Sequence, residues 1–536
     1  MASNPATPFG LEFGNVEELH RDAPPRSERS AQTRSQGPRS AFSRIGVAAN
    51  ETSESPFAAL SARHGRPLRV AILSDFTTIP YANGAAFQTR FLYQELRRCG
   101  HEVTVIGPRD PHADPASLPP DTVGLPSVPL KTYPGLFLPM PTEAWVYDPS
   151  RWSFDIIFAQ ATSPALHFAV WLRKMKGIPV ICVNTTHLSA AYDVLLPENL
   201  KRLGWVNAGL EGALKRPVDK HFAAIYNDSD GLVVLSEGLR SYWRERGVTV
   251  PIHVIPRTVQ PEIFDRPLGE DPYTHLESAE GHSWRGARLL CAGRHTREKS
   301  QDRIIRIFAR YVAPVDREAT LTMLGDGPDR EYYERVAQEE GVAHRVFFPG
   351  EVPFTKMADY YAYADLFVHG SLSETYGNVM GEALWCGTPT VAFADGMGVS
   401  SQIKDRVNGV LLSPGKGHRS EREADATFGR AVLDLLADPE ERARLGTAAS
   451  KMSRERCSPL AVQTRIADAF RLAQEHAAAC RINAAADGPR VVQWATTFHH
   501  FRSWAAANAT LYLVGHLRPA DDHSKTKAKL HPQIGS

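Results

Sequence analysis

Two successive series of short apolar runs, alternating with amphipathic segments, constrain the fold of this chain more than any other feature. The first series opens at Leu68–Leu73, continues through a loop and an amphipathic segment at 85–99, and reaches a second apolar run at 101–107. Strand, helix and strand in this order predict a βαβ unit and therefore a parallel sheet. Further strands of this first series are predicted at 156–159, 180–183 and 231–235.

The alternation stops and then restarts. Residues 266–284 gather proline, glycine and charge without periodicity, as an interdomain linker does, and a new apolar run begins at Arg288–Gly293. Strands are then predicted at 319–324, 346–348, 366–368 and 390–393, and helical pattern at 424–479. The fold class predicted is α/β, with two doubly wound domains in tandem and a cleft between them. Because neither opening strand is followed by G-x-G-x-x-G, a nicotinamide-dependent dehydrogenase is disfavoured.

The 536 residues are enough for two such domains and extra segments. Residues 1–66 are rich in Ser, Pro, Arg and Gly and predict a flexible N-terminal tail. We assign the first domain to 67–270 and the second to 271–455. A helix returning toward the first domain is predicted at 456–480, and a C-terminal extension at 481–536.

The C-terminal extension carries aromatic residues at near-helical spacing between Val491 and Ala505. This pattern is typical of a helix packed against a domain, and also of a helix lying on a membrane surface. Both readings stay open, so peripheral membrane contact is one expectation.

Charge and cysteine usage limit the partners and the compartment. Lys and Arg number 61 against 60 Asp and Glu, giving a net charge of +1, so no global field would attract nucleic acid. The six cysteines are scattered without a metal-ligand pattern, and no signal peptide or apolar run of membrane-spanning length is evident. We expect a cytoplasmic protein with reduced thiols, with an organelle transit peptide in the Arg- and Ser-rich segment 26–44 as the minor alternative.

The segment Ser373–Leu384 (SETYGNVMGEAL) carries the strongest local signal. It reads as a loop running into a helix that starts near Gly377 or Asn378, with Glu374 on the loop and Glu382 facing inward one turn along. The first N–H groups of such a helix, at Asn378 and Val379, can bind a phosphate. In the competing interpretation Glu374 only caps the helix and Glu382 is a solvated position.

A basic cluster follows the first strand of the second domain. In Gly293–Lys299 (GRHTREK), Arg294 suits bidentate phosphate recognition and Lys299 a point-charge contact, so the two could clamp a diphosphate. A solvated basic turn is the competing interpretation.

Two loops of the first domain are also candidates. Gly84, in Asn83-Gly84-Ala85, permits close approach of a ligand to the backbone, although it could be a turn residue only. His187 lies shortly after the strand at 180–183, at the usual address for function in open α/β sheets, although a structural histidine is the alternative.

Taken together, these motifs resemble the retaining GT-B glycosyltransferases of family four, also described as glycosyl transferases group 1. The resemblance rests on the two glutamates separated by seven residues, on the GR-x-x-x-E-K cluster and on the turn Gly325–Pro328. Further support comes from FPGEV at 348–352, from YAYADLFV at 361–368 and from CGTPTV at 386–391. The resemblance covers about residues 67–480 and is strongest over 288–414. It implies two Rossmann-like domains facing each other across a cleft.

The resemblance also implies a site and a reaction, in which the second domain holds a nucleotide-sugar donor and the first holds the acceptor. It implies that Arg294 and Lys299 bind the diphosphate, that Glu382 binds the ribose and that Glu374 binds the sugar ring. It also implies that backbone near Val352 binds the base and that the Gly84 loop contacts the donor phosphates and the acceptor. Family members often carry a His near the reacting centre, and here Thr185 or His187 takes that position. No cofactor and no metal are expected.

The donor base and sugar, the acceptor and the oligomeric state remain open, with glycolipid, polysaccharide or small-molecule acceptors all compatible. A sugar-nucleotide epimerase of the same shape and a catalytically silent nucleotide-sugar-binding module remain alternatives.

Overall fold

The computed structural model describes residues 55–75, 77, 84–111, 113–115, 118–129, 137–139, 143–185, 216, 218–276, 286–415 and 417–486. Most of the predicted N-terminal tail, the candidate His187 and the extension beyond residue 486 lie outside these ranges.

The first domain is built on a parallel sheet of seven described strands in the order β3-β2-β1-β6-β7-β8-β9. Its strands are β1 (Arg69–Ser74), β2 (Glu102–Pro108), β3 (Thr122–Leu125), β6 (Ile156–Gln160), β7 (Val180–Asn184), β8 (Gly231–Val234) and β9 (Ile252–Val254). Between β3 and β6, β4 (Ser127–Pro129) and β5 (Phe137–Pro139) form a separate antiparallel pair. The five strands predicted from apolar runs are confirmed, and they form the centre of the sheet because buried parallel strands are apolar on both faces.

The second domain repeats the architecture with six described strands in the order β12-β11-β10-β13-β14-β15. They are β10 (Arg288–Ala292), β11 (Thr320–Leu324), β12 (Val346–Gly350), β13 (Leu366–His369), β14 (Thr390–Phe393) and β15 (Val410–Leu412), all paired in parallel. The register sets Leu290 beside Phe367, so the carboxyl ends of β10 and β13 meet at one edge of the sheet. Loops that follow these two strands are therefore neighbours.

Helices cover the sheets. Their bounds are Ala58–His64, Gly84–Arg98, Ala165–Lys176, Glu237–Glu245, Pro261–Phe264, Gln301–Ile307, Arg330–Glu339, Met357–Tyr363, Asn378–Trp385, Gly398–Gln402, His418–Ala437, Pro439–Cys457 and Pro459–Ala486. A π-helical turn at Phe308–Val312 extends Gln301–Ile307. No helix among the described residues is long and apolar enough to cross a membrane.

The last described helix, Pro459–Ala486, packs against the first domain rather than the second. Phe470 lies 6.0 Å from the ring of Phe158 on β6, and His476 Nδ1 lies 3.0 Å from Asp230 Oδ1. Val462 and Ile466 join the same apolar cluster as Val70. The C-terminal helix therefore ties the two ends of the described chain together.

The predicted flexible tail is wrong for its last part. The helix Ala58–His64 precedes β1, and Phe57 and Leu60 are buried in the cluster that contains Phe470. Ser55 Oγ also donates a hydrogen bond of 2.8 Å to Gln463 Oε1. Order begins before residue 67 because the C-terminal helix supplies apolar surface that the local sequence lacks.

The two domains also contact each other directly. Phe87, in the first turn of Gly84–Arg98, stacks on Phe354 of the second domain with ring centroids 4.8 Å apart. Arg454 makes two hydrogen bonds of 2.8 Å to Asp265, next to the helix Pro261–Phe264. These contacts hold the carboxyl end of the first sheet close to the loops of the second.

Candidate functional site

The loop between β13 and the helix Asn378–Trp385 is the centre of the site. Its last residue, Gly377, has a φ of +80°, a left-handed backbone conformation that residues other than glycine adopt only with strain. This turn starts the helix at Asn378, as predicted, and leaves the N–H groups of Asn378 and Val379 in the first turn, where no helical carbonyl can accept from them. The helix N-terminus is thus suited to an anion.

Glu374 on this loop is buried and is paired with a cation from the neighbouring loop. Lys299 Nζ donates a hydrogen bond of 2.8 Å to Glu374 Oε1, and His369 Nε2 lies 3.6 Å from the same oxygen. Burial opposes the charged form, but the Lys299 ammonium and the His369 ring outweigh it and hold the pKa of Glu374 well below its usual range. Glu374 is therefore an anion at neutral pH.

Glu382 is buried one turn into the helix, in a different electrostatic setting. Tyr361 Oη donates a hydrogen bond of 2.9 Å to Glu382 Oε2. Burial raises the pKa of Glu382 to about 7, and the Tyr361 bond offsets only part of that effect. The interpretation of Glu382 as a solvated helix position is contradicted, because its side chain is only 8% exposed.

The basic loop after β10 carries Arg294 on its exposed side and Lys299 toward Glu374. The loop is pressed against the turn after β11: a Cβ on Gly325 would collide with the Gly293 carbonyl, and one on Gly327 with the His295 carbonyl. Glycines at these positions let the two loops approach, and the backbone of His295 bonds to that of Asp326 at 2.9 Å. The two predicted motifs are therefore parts of one structure.

Among the candidates of the first domain, Gly84 is the first residue of the helix Gly84–Arg98. The stacking of Phe87 on Phe354 brings the start of that helix to the loop that contains Val352. Thr185 is buried directly after β7. His187 lies outside the described residues, so its position is not assigned.

Sequence reasoning missed three side chains that support the site: His369, Tyr361 and Gln402. Gln402 Nε2 donates to the carbonyl of Tyr376 and, at 3.3 Å, to that of Gly377, which fixes the loop before the helix. None of the three lies within the segment Ser373–Leu384, and nothing in the local sequence marks Tyr361 or Gln402 as a site residue. Only His369 could have been identified, because it stands at the carboxyl end of a predicted strand.

Two protein families match the chain. Residues 279–452 match the family described as Glycosyl transferases group 1, and residues 82–263 match Glycosyltransferase Family 4. The two matches fall on the second and the first domain.

Curated relatives agree with this. The chain is similar to an alpha-monoglucosyldiacylglycerol synthase of Streptococcus pneumoniae, at 27% identity over 348 residues, covering 64% of this chain and 75% of the relative. It is also similar to a D-inositol 3-phosphate glycosyltransferase of Xylanimonas cellulosilytica, at 34% identity over 209 residues, covering 38% of this chain and 47% of the relative.

Solved structures agree in fold. A sucrose-phosphate synthase from Thermosynechococcus elongatus superposes with a TM-score of 0.57 at 20% identity, over 75% of this chain and 98% of that chain. The Anabaena protein HepE, in complex with UDP and glucose, gives a TM-score of 0.56 at 18% identity, over 75% of this chain and 99% of that chain. Both domains and both halves of the sequence lead to the same conclusion: this chain is a GT-B protein and belongs to the group 1 glycosyltransferase family.

Proposed function

We propose that this protein is a retaining glycosyltransferase that moves a hexose from a nucleoside-diphosphate sugar to an acceptor. The observation that carries the proposal is the ion pair between Lys299 and Glu374, 2.8 Å long, beside the N-terminus of the helix that holds Glu382. The cation comes from the loop after β10, and the anion and the open N–H groups come from the loop and helix after β13. Together they suit a donor that has a charged diphosphate and a neutral sugar. Retention of the anomeric configuration is part of the proposal because the family that the sequence resembles is a retaining one.

The diphosphate is assigned to Arg294, Lys299 and the N–H groups of Asn378 and Val379. Lys299 has three N–H donors and gives one to Glu374, so the others can meet phosphate oxygens. Cleavage of the anomeric bond leaves negative charge on the departing diphosphate, and cations and a helix N-terminus already in position stabilise that charge. These groups supply the charge that a metal would otherwise bring, so we propose metal-independent catalysis.

Glu382 is assigned to the ribose hydroxyls. A carboxylate accepts hydrogen bonds from two neighbouring hydroxyls, and the burial of Glu382 makes each of these bonds stronger than in water. The base is assigned to backbone near Val352, a part of the second domain that the Phe87–Phe354 contact brings to the first domain. Gly84, at the same junction, is assigned to the donor phosphates and acceptor.

Glu374 is assigned to the sugar ring. An ionised carboxylate can accept hydrogen bonds from ring hydroxyls and favours the positive charge that develops at the anomeric carbon. Lys299 keeps it ionised and oriented. His187 keeps the role of a catalytic candidate from the first domain, with Thr185 as the alternative for the same position.

The acceptor and the cellular setting are proposed more broadly. Relatives are named for the glucosylation of a diacylglycerol lipid and for inositol phosphate, so acceptors with a lipid or a polar headgroup are included. We propose a cytoplasmic enzyme with peripheral contact to membranes. Co-sedimentation of the full chain with anionic phospholipid vesicles tests that contact.

The donor is tested with UDP-, GDP- and ADP-sugars in a thermal-shift panel. A ligand at a hundred times its dissociation constant adds about 2.7 kcal/mol of stability, a readily detected shift. One nucleotide class is expected to stabilise the protein, and none would contradict the proposal.

Turnover is then followed by NMR with and without candidate acceptors. Transfer with the donor's anomeric configuration supports the proposal. Conversion of the donor sugar without an acceptor would identify an epimerase, and binding without any turnover would identify a silent module.

A further inference from the structure

Arg257 lies where the first domain meets the donor loop of the second. It follows β9, and its neighbours bind the end of the helix Pro439–Cys457: Val259 N and Thr258 Oγ1 donate to the Cys457 carbonyl at 3.1 and 3.2 Å. Cys457 Sγ in turn lies 3.1 Å from the hydroxyl of Tyr376, three residues before Val379. The Arg257 side chain has Tyr376 as an electrostatic neighbour.

Within the part of the chain that the structure describes, no carboxylate pairs with Arg257. Its Nη1 is buried and has no hydrogen-bond acceptor within the described ranges. Three other half-buried arginines differ from Arg257, because each has a carboxylate at hydrogen-bond distance. These pairs are Arg173 with Asp230, Arg266 with Asp359 and Arg454 with Asp265.

A lone buried cation costs free energy, and the cost persists at neutral pH. Burial lowers the pKa of Arg257 to about 10, which leaves the guanidinium charged at pH 7. The adjacent phenol does not neutralise it, since burial raises the pKa of Tyr376 well above 10. An anion bound at Arg257 would remove the penalty and satisfy Nη1.

The position separates this cation from those assigned to the diphosphate. Arg294 and Lys299 follow β10 in the second sheet, whereas Arg257 follows β9 at the edge of the first. It approaches the donor loop at Tyr376, which stands between Glu374 and Gly377 in the sequence.

Resting on the proposed function, we propose that Arg257 forms a second anion site of the cleft, which binds a phosphate or carboxylate carried by a substrate outside the donor diphosphate. Such a group could belong to the acceptor, as on a sugar phosphate or phosphorylated headgroup, or to the donor sugar, as in a hexuronic acid. A planar guanidinium with several donors suits either group.

The first test is stability without ligand. Arg257→Met removes the unmatched charge and keeps an apolar stem, so its melting temperature should equal or exceed that of the wild type. Arg240→Gln is the control, because Arg240 is half-exposed and paired with Glu237 on the helix Glu237–Glu245. A fall of several degrees in Arg257→Met alone would show a structural role and overturn the proposal.

The second test is anion binding. The protein is saturated with whichever of UDP, GDP or ADP it binds and is titrated with inorganic phosphate. We expect a phosphate-dependent rise in melting temperature that Arg240→Gln retains, and an apparent phosphate dissociation constant about tenfold or more higher in Arg257→Gln. If none of the three nucleotides binds, the proposed function fails, and phosphate is titrated into the free protein.

A third titration compares UDP-glucose with UDP-glucuronate, or the corresponding pair of the preferred base. Tighter binding of the uronate, lost in Arg257→Gln, assigns the anion to the donor sugar; equal binding of both donors together with the phosphate effect assigns it to the acceptor. Absence of both effects overturns the proposal. So does a weakening of both donors in Arg257→Gln without a phosphate effect, since Arg257 would then bind neutral hydroxyls.

Discussion

Replacing Glu382 with glutamine should stabilise the protein at alkaline pH while it weakens donor binding. The folded state raises the pKa of Glu382 from 4.5 to about 7, because burial disfavours the carboxylate. Between these two values the folded state holds a proton that the unfolded state releases, so stability falls as pH rises through the window and stays low above it. Glutamine keeps the shape of the side chain and does not ionise, so it carries no cost of burying a charge.

The size of the effect follows from the shift. The pKa of Glu382 is raised by about 2.5 units, and each unit corresponds to about 1.4 kcal/mol. The buried carboxylate therefore lowers the free energy of unfolding by about 3 kcal/mol at pH 8, and this loss falls toward zero below pH 4.5. For a domain of 150–250 residues that is a rise of about 6–12 °C in melting temperature. Melting curves of wild type and Glu382→Gln at pH 5 and pH 8 measure it.

Glu374→Gln is the matched control, with the opposite sign. The pKa of Glu374 is lowered by Lys299 and His369 against its burial, so its charge stabilises the fold at every pH above the ordinary carboxyl range. That variant should melt below the wild type at pH 8. A Glu382→Gln variant whose melting difference from wild type is the same at both pH values would refute the electrostatic reasoning about this site.

Further outcomes concern catalysis. Glu374→Gln should bind the free nucleoside diphosphate with near-native affinity while kcat falls about 10²-fold or more, the scale of losing one preorganised electrostatic contact; a variant with full kcat would reduce Glu374 to a helix cap. Turnover should survive EDTA, since cationic side chains and a helix N-terminus meet the diphosphate; loss in EDTA that magnesium or manganese restores would show a metal requirement.

Local pattern predicted the centre of each sheet and the edge strand β12, but it missed the other edge strands, β3, β9 and β15. Strands such as β6 and β7 are buried at every position and read as apolar runs. The short strands β9 and β15 have partly exposed residues and no such run, so they were missed. The helix Ala58–His64 was missed for another reason: it is stabilised by a helix some four hundred residues later in the chain, and no local pattern records that.

The same limit applies to the site. The motifs around Glu374 and Lys299 predicted an anion site and a loop–helix junction, but not their mutual ion pair, because 75 residues separate them and only the adjacency of β10 and β13 brings them together. The raised pKa of Glu382 comes from burial, which the Tyr361 hydrogen bond only partly offsets, and both exist only in the folded chain. Arg257 belongs to no recognised motif, and only the folded chain shows that its Nη1 has no acceptor among the described residues.

The most direct test of the central claim is calorimetry of nucleoside diphosphate binding to two variants of the same loop. Arg294→Ala removes the assigned diphosphate ligand, whereas Arg297→Ala removes a cation that is paired with Asp329 at 3.1 Å and lies over the Tyr332 ring. We predict that Arg294→Ala raises the dissociation constant about tenfold or more, the cost of one charged hydrogen bond, and that Arg297→Ala leaves it within about twofold. Equal affinity in Arg294→Ala and the wild type would contradict the site.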